Sequence, residues 1–321
     1  MKLRCLLGAL AVLLAICRAQ AGLAAPQAMV AAAHPLAVEA GLEVLRRGGS
    51  AVDAAIAVQM VLGVVEPQAS GIGGGGFLLH YDGATHAITV YDGREAAPAG
   101  ATPAMFLDPN GKPLGFRAAV VSGVSVGVPG ALAMLELAHK EHGKLAWRDL
   151  FEPAIAVARD GFAVPPRLAA WLSRIPGLRE EPGIRAVYFN VDGSPKKAGE
   201  RIANPDLAET MRLIADQGPD AFYRGAIAAE MVDRVRGHAR PGTLSLADLA
   251  DYRPIKRDAL CGPYRVWVVC GMPPPSSGGI ATLQVLALLE PFEIWRDTAG
   301  DLRSVHLIAE ASRLAFADRD R

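Results

Sequence analysis

The chain has 321 residues, 51% of them apolar, with 33 basic residues balanced by 33 acidic ones. That length admits one large domain or two small ones, with a sizeable core. A balanced charge without a basic run leaves no electrostatic footprint for nucleic acid.

The chain opens on a targeting pattern. Lys2 and Arg4 precede thirteen uncharged residues, Cys5 to Cys17, and Ala19-Gln20-Ala21 offers a small-x-small cleavage site. Residues 1–21 read as a signal peptide, with Ala25 as a second cleavage choice, and the apolar run is too short to span a bilayer. The expectation is an exported protein, periplasmic or extracellular, without a stable membrane anchor, whose mature region is 22–321.

Val38, Leu42 and Leu45 recur at helical spacing within 35–47, and Gly48-Gly49 ends that helix. Ser50 suits the N-cap of a second helix, 51–65, apolar all round and stopped near Glu66-Pro67. Next comes EPQASGIGGGGFLLH, where Gly71 to Gly76 satisfies G-x-G-x-x-G. The dinucleotide fingerprint needs a strand before its glycines and a helix after them. Here a helix precedes and a strand follows, which disfavours a nicotinamide cofactor. Two readings stand: a tight turn packed on a neighbouring strand, or a backbone wall of a ligand pocket.

FLLHYDG and AITVYDG, joined by ATH, read as a hairpin over 77–92. AVVSGVSV at 119–126 reads as a buried strand. Helices are expected at 131–140 and 147–160, the latter stopped by Gly161, and helical pieces at 204–217, 219–236 and 245–251. Tyr264 to Val269 reads as one strand, which would keep Cys261 and Cys270 apart as two buried thiols. Residues 280–290 and 304–319 look helical. The whole implies a layered α/β architecture. Strand candidates are few and the last helix runs almost to Arg321, so the layers read as an incomplete set with open sheet edges.

No metal-ligand spacing appears among the seven histidines; His139 and His142 read as solvated residues at a polar helix end. There is no G-x-S-x-G elbow and no Walker loop. Two places could carry chemistry. Arg94 emerges just past the strand ending Asp92-Gly93, either as a planar fork for a carboxylate or as one half of an ordinary ion pair. In Pro273-Pro274-Pro275-Ser276-Ser277-Gly278-Gly279, free N–H groups and hydroxyls could receive an anion, or the serines could simply cap a helix.

The run RRGGSAVDAAIAVQMVLGVVEPQASGIGGGGFLLHYDG resembles the amino-terminal part of gamma-glutamyltransferases, also called gamma-glutamyltranspeptidases or glutathione hydrolases. So do YDGREAAPAGATPAMF, VGVPGALA, FEPAIAVARDGF, GPDAFYRG, DLADYRP, MPPPSSGG and AEASRLAFADR, in the family's order from about residue 28 to 319. Ser50 stands where the family often has asparagine. The resemblance implies a precursor that cuts itself into two subunits of an αββα sandwich, the N-terminal nucleophile hydrolase type. The small subunit's terminal threonine attacks the γ-glutamyl amide of glutathione or a related γ-glutamyl compound, its α-amine serving as base. Water or an amino acid then resolves the acyl-enzyme, with no cofactor and no metal. This sequence matches the large-subunit portion, contains no Thr-Thr-His or Thr-Ser-His, and so carries no catalytic residue of that scheme. Among substrate-binding residues the resemblance carries over only Arg94, as the grip on the substrate α-carboxylate. It makes the glycine run and the PPPSSGG segment structural. The alternatives are a non-catalytic remnant, or a related acylase acting on another amide.

Overall fold

The computed structural model describes residues 28–175 and 177–320. The expected signal peptide at 1–21 lies outside the described residues.

Two helices open the fold, α1 (Pro35–Arg46) and α2 (Ala51–Val65). Ser50 caps α2 as expected, in a reciprocal box with Asp53. Asp53 is fully buried, and its Oδ2 also accepts the N–H groups of Lys144 and Leu145 at 2.9 and 3.1 Å. One carboxylate thereby ties the start of α2 to a loop almost a hundred residues away. Because α2 is apolar all round, it sits inside: Ile56, Met60, Val61 and Val65 have no exposure.

The expected hairpin is β1 (Gly76–Tyr81) and β2 (Ile88–Gly93), with Gly76 opposite Gly93 and Tyr81 opposite Ile88. Asp82 closes its tip by accepting the N–H groups of Ala84 and Thr85. The buried strand expected at 119–126 is not formed. Residues Phe116–Val120 make a short helix, α3, and Gly123–Ser125 a 3-10 turn. The Ser122 hydroxyl donates to the Ala119 carbonyl at 2.6 Å, and that of Ser125 to the carbonyls of Val120 and Ser122. Such local bonds compete with an extended ladder. Val120 and Val121 are half exposed, so burial does not restore it.

Helix α4 (Ala131–His142) packs on β1 and β2. Next come α5 (Glu152–Asp160), ended by Gly161 at φ 81°, then the two-residue strand β3 (Phe162–Ala163) and the unforeseen helices α6 (Pro166–Arg174) and α7 (Pro182–Tyr188). Strand β4 (Arg201–Ile202) pairs with β3. The helical stretch expected at 219–236 is two helices, α9 (Asp220–Tyr223) and α10 (Gly225–Gly237), preceded by α8 (Pro205–Gln217). Gly225, at φ 76°, breaks it. After α11 (Leu246–Asp251), a polar strand β5 (Ile255–Asp258) joins β2, completing an antiparallel sheet in the order β1-β2-β5.

The run from Tyr264 to Val269 is not one strand. It is the bend of a second hairpin, β6 (Leu260–Tyr264) and β7 (Trp267–Gly271), turning at Arg265, φ 55°, and Val266. The turn places Cys261 opposite Cys270 with Cα atoms 4.1 Å apart, and the two form a disulfide. The expectation of two separate thiols is therefore wrong, because it assumed that the chain between them runs straight. Helices α12 (Gly278–Leu289) and α13 (Leu302–Arg319) pack together, and α12 also packs on the hairpin. Gly279 lies so close to the Gly271 and Met272 backbone that no β-carbon fits there.

Candidate functional site

The alternation of side chains along a strand sorts the polar groups of β2 and β5 onto opposite faces. Tyr91 and Lys256 face α4. The fully buried Tyr91 hydroxyl lies 2.7 Å from both Glu141 Oε2 and His142 Nε2, and Lys256 Nζ reaches Glu141 at 2.8 Å. Burial, then the Glu141 hydrogen bond and charge, push the Tyr91 hydroxyl well above the ordinary tyrosine range. His142 also stacks on His80, ring centres 3.8 Å apart, and His139 lies between the Leu145 carbonyl and Asp53. Neither histidine is the solvated residue the sequence implies. Among the described residues, no group of three or more His, Cys, Asp or Glu is placed to hold a metal ion.

Asp92 and Arg257 lie on the other face. Asp92 is nearly buried, and its two oxygens have separate tasks: Oδ1 accepts the Arg94 N–H at 2.9 Å, and Oδ2 receives Arg257 Nε at 2.8 Å. The Arg94 carbonyl accepts a hydrogen bond from the Tyr252 hydroxyl at 2.7 Å. Glu95 turns back, so that its Oε1 accepts the Gly75 N–H at 3.0 Å. Burial, then the charges of Asp92 and Glu95, push the Tyr252 hydroxyl up to about 12. It therefore stays protonated as a donor through the neutral range.

The glycine run settles between its two readings here. Gly74 presents its carbonyl to the N–H groups of Gly130 and Ala131, both at 3.0 Å, at the start of α4. A backbone oxygen thus caps a helix that lacks a side-chain cap. Its polarity is the reverse of a phosphate cradle. A β-carbon on Gly75 would lie 2.7 Å from both Glu95 N and Gly93 O, so close backbone packing demands glycine. The same turn backs the segment carrying Arg94.

Arg94 is exposed and lines an open cleft of about 750 Å³ together with Glu95, Asp248, Tyr252, Arg253 and Pro275. Its guanidinium has no hydrogen-bond or ion-pair partner among the described residues. The ion-pair reading of Arg94 thus finds no partner here. Asp92, Tyr252 and Arg257 were not picked out from sequence, because they meet only through the sheet and α11. The PPPSSGG segment leads into α12 with the Ser276 hydroxyl accepting the Gly278 N–H at 3.2 Å. Ser277, at the cap position, makes no side-chain cap. Only Pro275 of that segment reaches the cleft.

The gamma-glutamyltranspeptidase family profile matches residues 37–321. The glutathione hydrolase proenzyme of Bacillus subtilis (strain 168) is 42% identical over 291 residues, covering 91% of this chain and 49% of that protein. The acylase ACY 1 proenzyme of Pseudomonas sp. (strain SE83) is 39% identical over 297 residues, covering 91% and 52%. The crystal structure of Helicobacter pylori gamma-glutamyltranspeptidase superposes with a TM-score of 0.87 at 33% identity, covering 92% of this chain and 84% of that one. The layered α/β architecture expected from the sequence is thus the one shared with that enzyme. The chain spans about half the length of the curated relatives it matches.

Proposed function

The chain belongs to the gamma-glutamyltranspeptidase family, and from that premise we propose that it is the large-subunit region, 22–321, of an exported glutathione hydrolase proenzyme. In this reading Arg94 holds the α-carboxylate of a γ-glutamyl substrate. A threonine at the amino terminus of the small subunit, in the remaining half of the proenzyme, attacks the γ-carbonyl carbon. Its α-amine takes the hydroxyl proton and returns it to the departing amine, leaving a γ-glutamyl ester. Water or an amino acid acceptor releases that ester in the second step.

The observation that carries the reading is the state of Arg94. A planar, permanently charged fork stands in an open cleft with its backbone held and its side chain unpaired among the described residues. Bidentate capture of a carboxylate suits such a group. Among the described residues no helix is long and apolar enough to cross a membrane. The test is expression of the whole proenzyme. It should separate into two chains and release glutamate from glutathione; an uncut or inert product refutes the reading.

A second reading is supported by the similarity to an acylase proenzyme. There Arg94 would hold the carboxylate of a different acyl group. A γ-glutamyl anilide and a glutaryl anilide, which keeps the carboxylate but lacks the α-amine, separate the two by their ratio of kcat/KM. Preference for the glutaryl compound favours the acylase.

A further inference from the structure

We propose that Asp92, Tyr252 and Arg257 form a clamp that positions Arg94, so that carboxylate recognition depends on the side chains that hold the Arg94 backbone. The inference rests on the reading of Arg94 given above and adds the device that aims it.

An exposed arginine on a loop is a poor receptor unless its backbone is fixed, because a binding group must be held close to its productive geometry. Arg94 lies just beyond the last residue of β2, where no ladder bond fixes it. Both of its backbone groups are instead taken by side chains. Asp92 Oδ1 holds the N–H at 2.9 Å and the Tyr252 hydroxyl holds the carbonyl at 2.7 Å.

Each jaw is itself supported. Arg257 engages the second oxygen of Asp92 from the neighbouring strand, which fixes the carboxylate plane. The Tyr252 ring lies parallel to Tyr223, with ring planes 4° apart, and the Tyr223 hydroxyl donates to the Pro129 carbonyl at 2.9 Å. Tyr252 also passes over Gly130 so closely that any β-carbon there would collide with its hydroxyl. Two side chains from distant parts of the chain thus hold the two peptide units that flank the Arg94 Cα, beside a guanidinium with no partner among the described residues.

A fold tie and a positioning device differ in what they move. A tie changes stability, whereas a clamp changes recognition of the carboxylate and only while Arg94 is present. The experiment is a double-mutant cycle in the processed enzyme with γ-glutamyl-p-nitroanilide as probe. Tyr252→Phe removes one oxygen and should lower kcat/KM roughly three- to tenfold, the effect of losing one hydrogen bond. Most of that loss should appear as a higher KM, since the grip acts already on bound substrate. In an Arg94→Ala background the same change should alter kcat/KM less than twofold. Arg257→Lys, which keeps the charge beside Asp92 but moves the donor, serves as the second variant with the same expected pattern, should Tyr252→Phe not be processed. Equal losses in both backgrounds, or full activity of both variants in the parent, overturn the clamp alone. If Arg94→Ala itself turns over substrate like the parent, the reading of Arg94 falls and the clamp with it.

Discussion

Replacing Arg94 by lysine keeps the charge and removes the fork. The Arg94 side chain makes no hydrogen bond or ion pair among the described residues, and the bonds at this position belong to its backbone. Lysine retains those, so stability should hardly change. In the proposed role, however, the substrate carboxylate would trade a bidentate contact for a point contact. Losing one charge-assisted hydrogen bond costs about 1.5–3 kcal/mol, which converts to roughly ten- to a hundredfold in kcat/KM. Precursor cleavage should be unaffected, because the peptide bond to be cut presents no such carboxylate. The assay is hydrolysis of a γ-glutamyl anilide by the processed enzyme, alongside melting temperature and the extent of cleavage. A variant that melts early yet turns over substrate like the parent would make Arg94 a structural residue and refute the reasoning.

Other outcomes follow from neighbouring contacts. Gly75→Ala places a β-carbon 2.7 Å from the Glu95 nitrogen and the Gly93 oxygen. It should cost about 1–3 kcal/mol by overpacking and lower kcat/KM as well, while Gly73→Ala, facing open space, should be neutral in both melting and kinetics. The disulfide closes a loop with a sequence separation of 9, so Cys261→Ser with Cys270→Ser should lower unfolding free energy by about 2–3 kcal/mol. Peptide mapping without reductant should recover residues 261 and 270 linked. Tyr252 ionises near 10 when unfolded and near 12 in the fold, owing first to burial. Its contribution to stability is therefore complete below about pH 10 and lost as pH rises towards 12. Denaturant midpoints across that window should fall less steeply for Tyr252→Phe than for the parent, and parallel curves would count against the shift.

What could be seen in the sequence was local. Ser50 and Asp53 lie three apart, and their capping box follows from spacing alone. The first hairpin, with its ATH link, is equally local. The second hairpin escaped because its turn residues, Arg265 and Val266, carry no Gly or Asn signal, so YRVWVV reads as continuous strand. Strand β5 escaped because IKRD has no apolar alternation; it is set by its partner β2 rather than by its own pattern. The Arg94 clamp lay beyond sequence reading altogether. Tyr252 is 158 positions away and Arg257 lies 165 from Asp92, so only the sheet and α11 bring them together.

The Asp-Gly-Arg-Glu motif shows why such a site is misread when taken one residue at a time. Written out, Arg94 stands between two acids, Asp92 and Glu95, either of which is a candidate partner for an ion pair. In the fold neither carboxylate within the motif reaches it. Asp92 holds a backbone N–H and Arg257, and Glu95 is turned away to the Gly75 N–H. Both acids are engaged by donors that cannot leave, backbone amides above all, so they do not compete for the guanidinium. The glycines at 75 and 130 make this arrangement fit, since a β-carbon at 75 would strike the Glu95 nitrogen and one at 130 the Tyr252 hydroxyl. A cation kept free by occupying its nearest anions elsewhere remains available to an incoming carboxylate. In the proposed role of Arg94, the acids beside it would therefore serve recognition rather than defeat it.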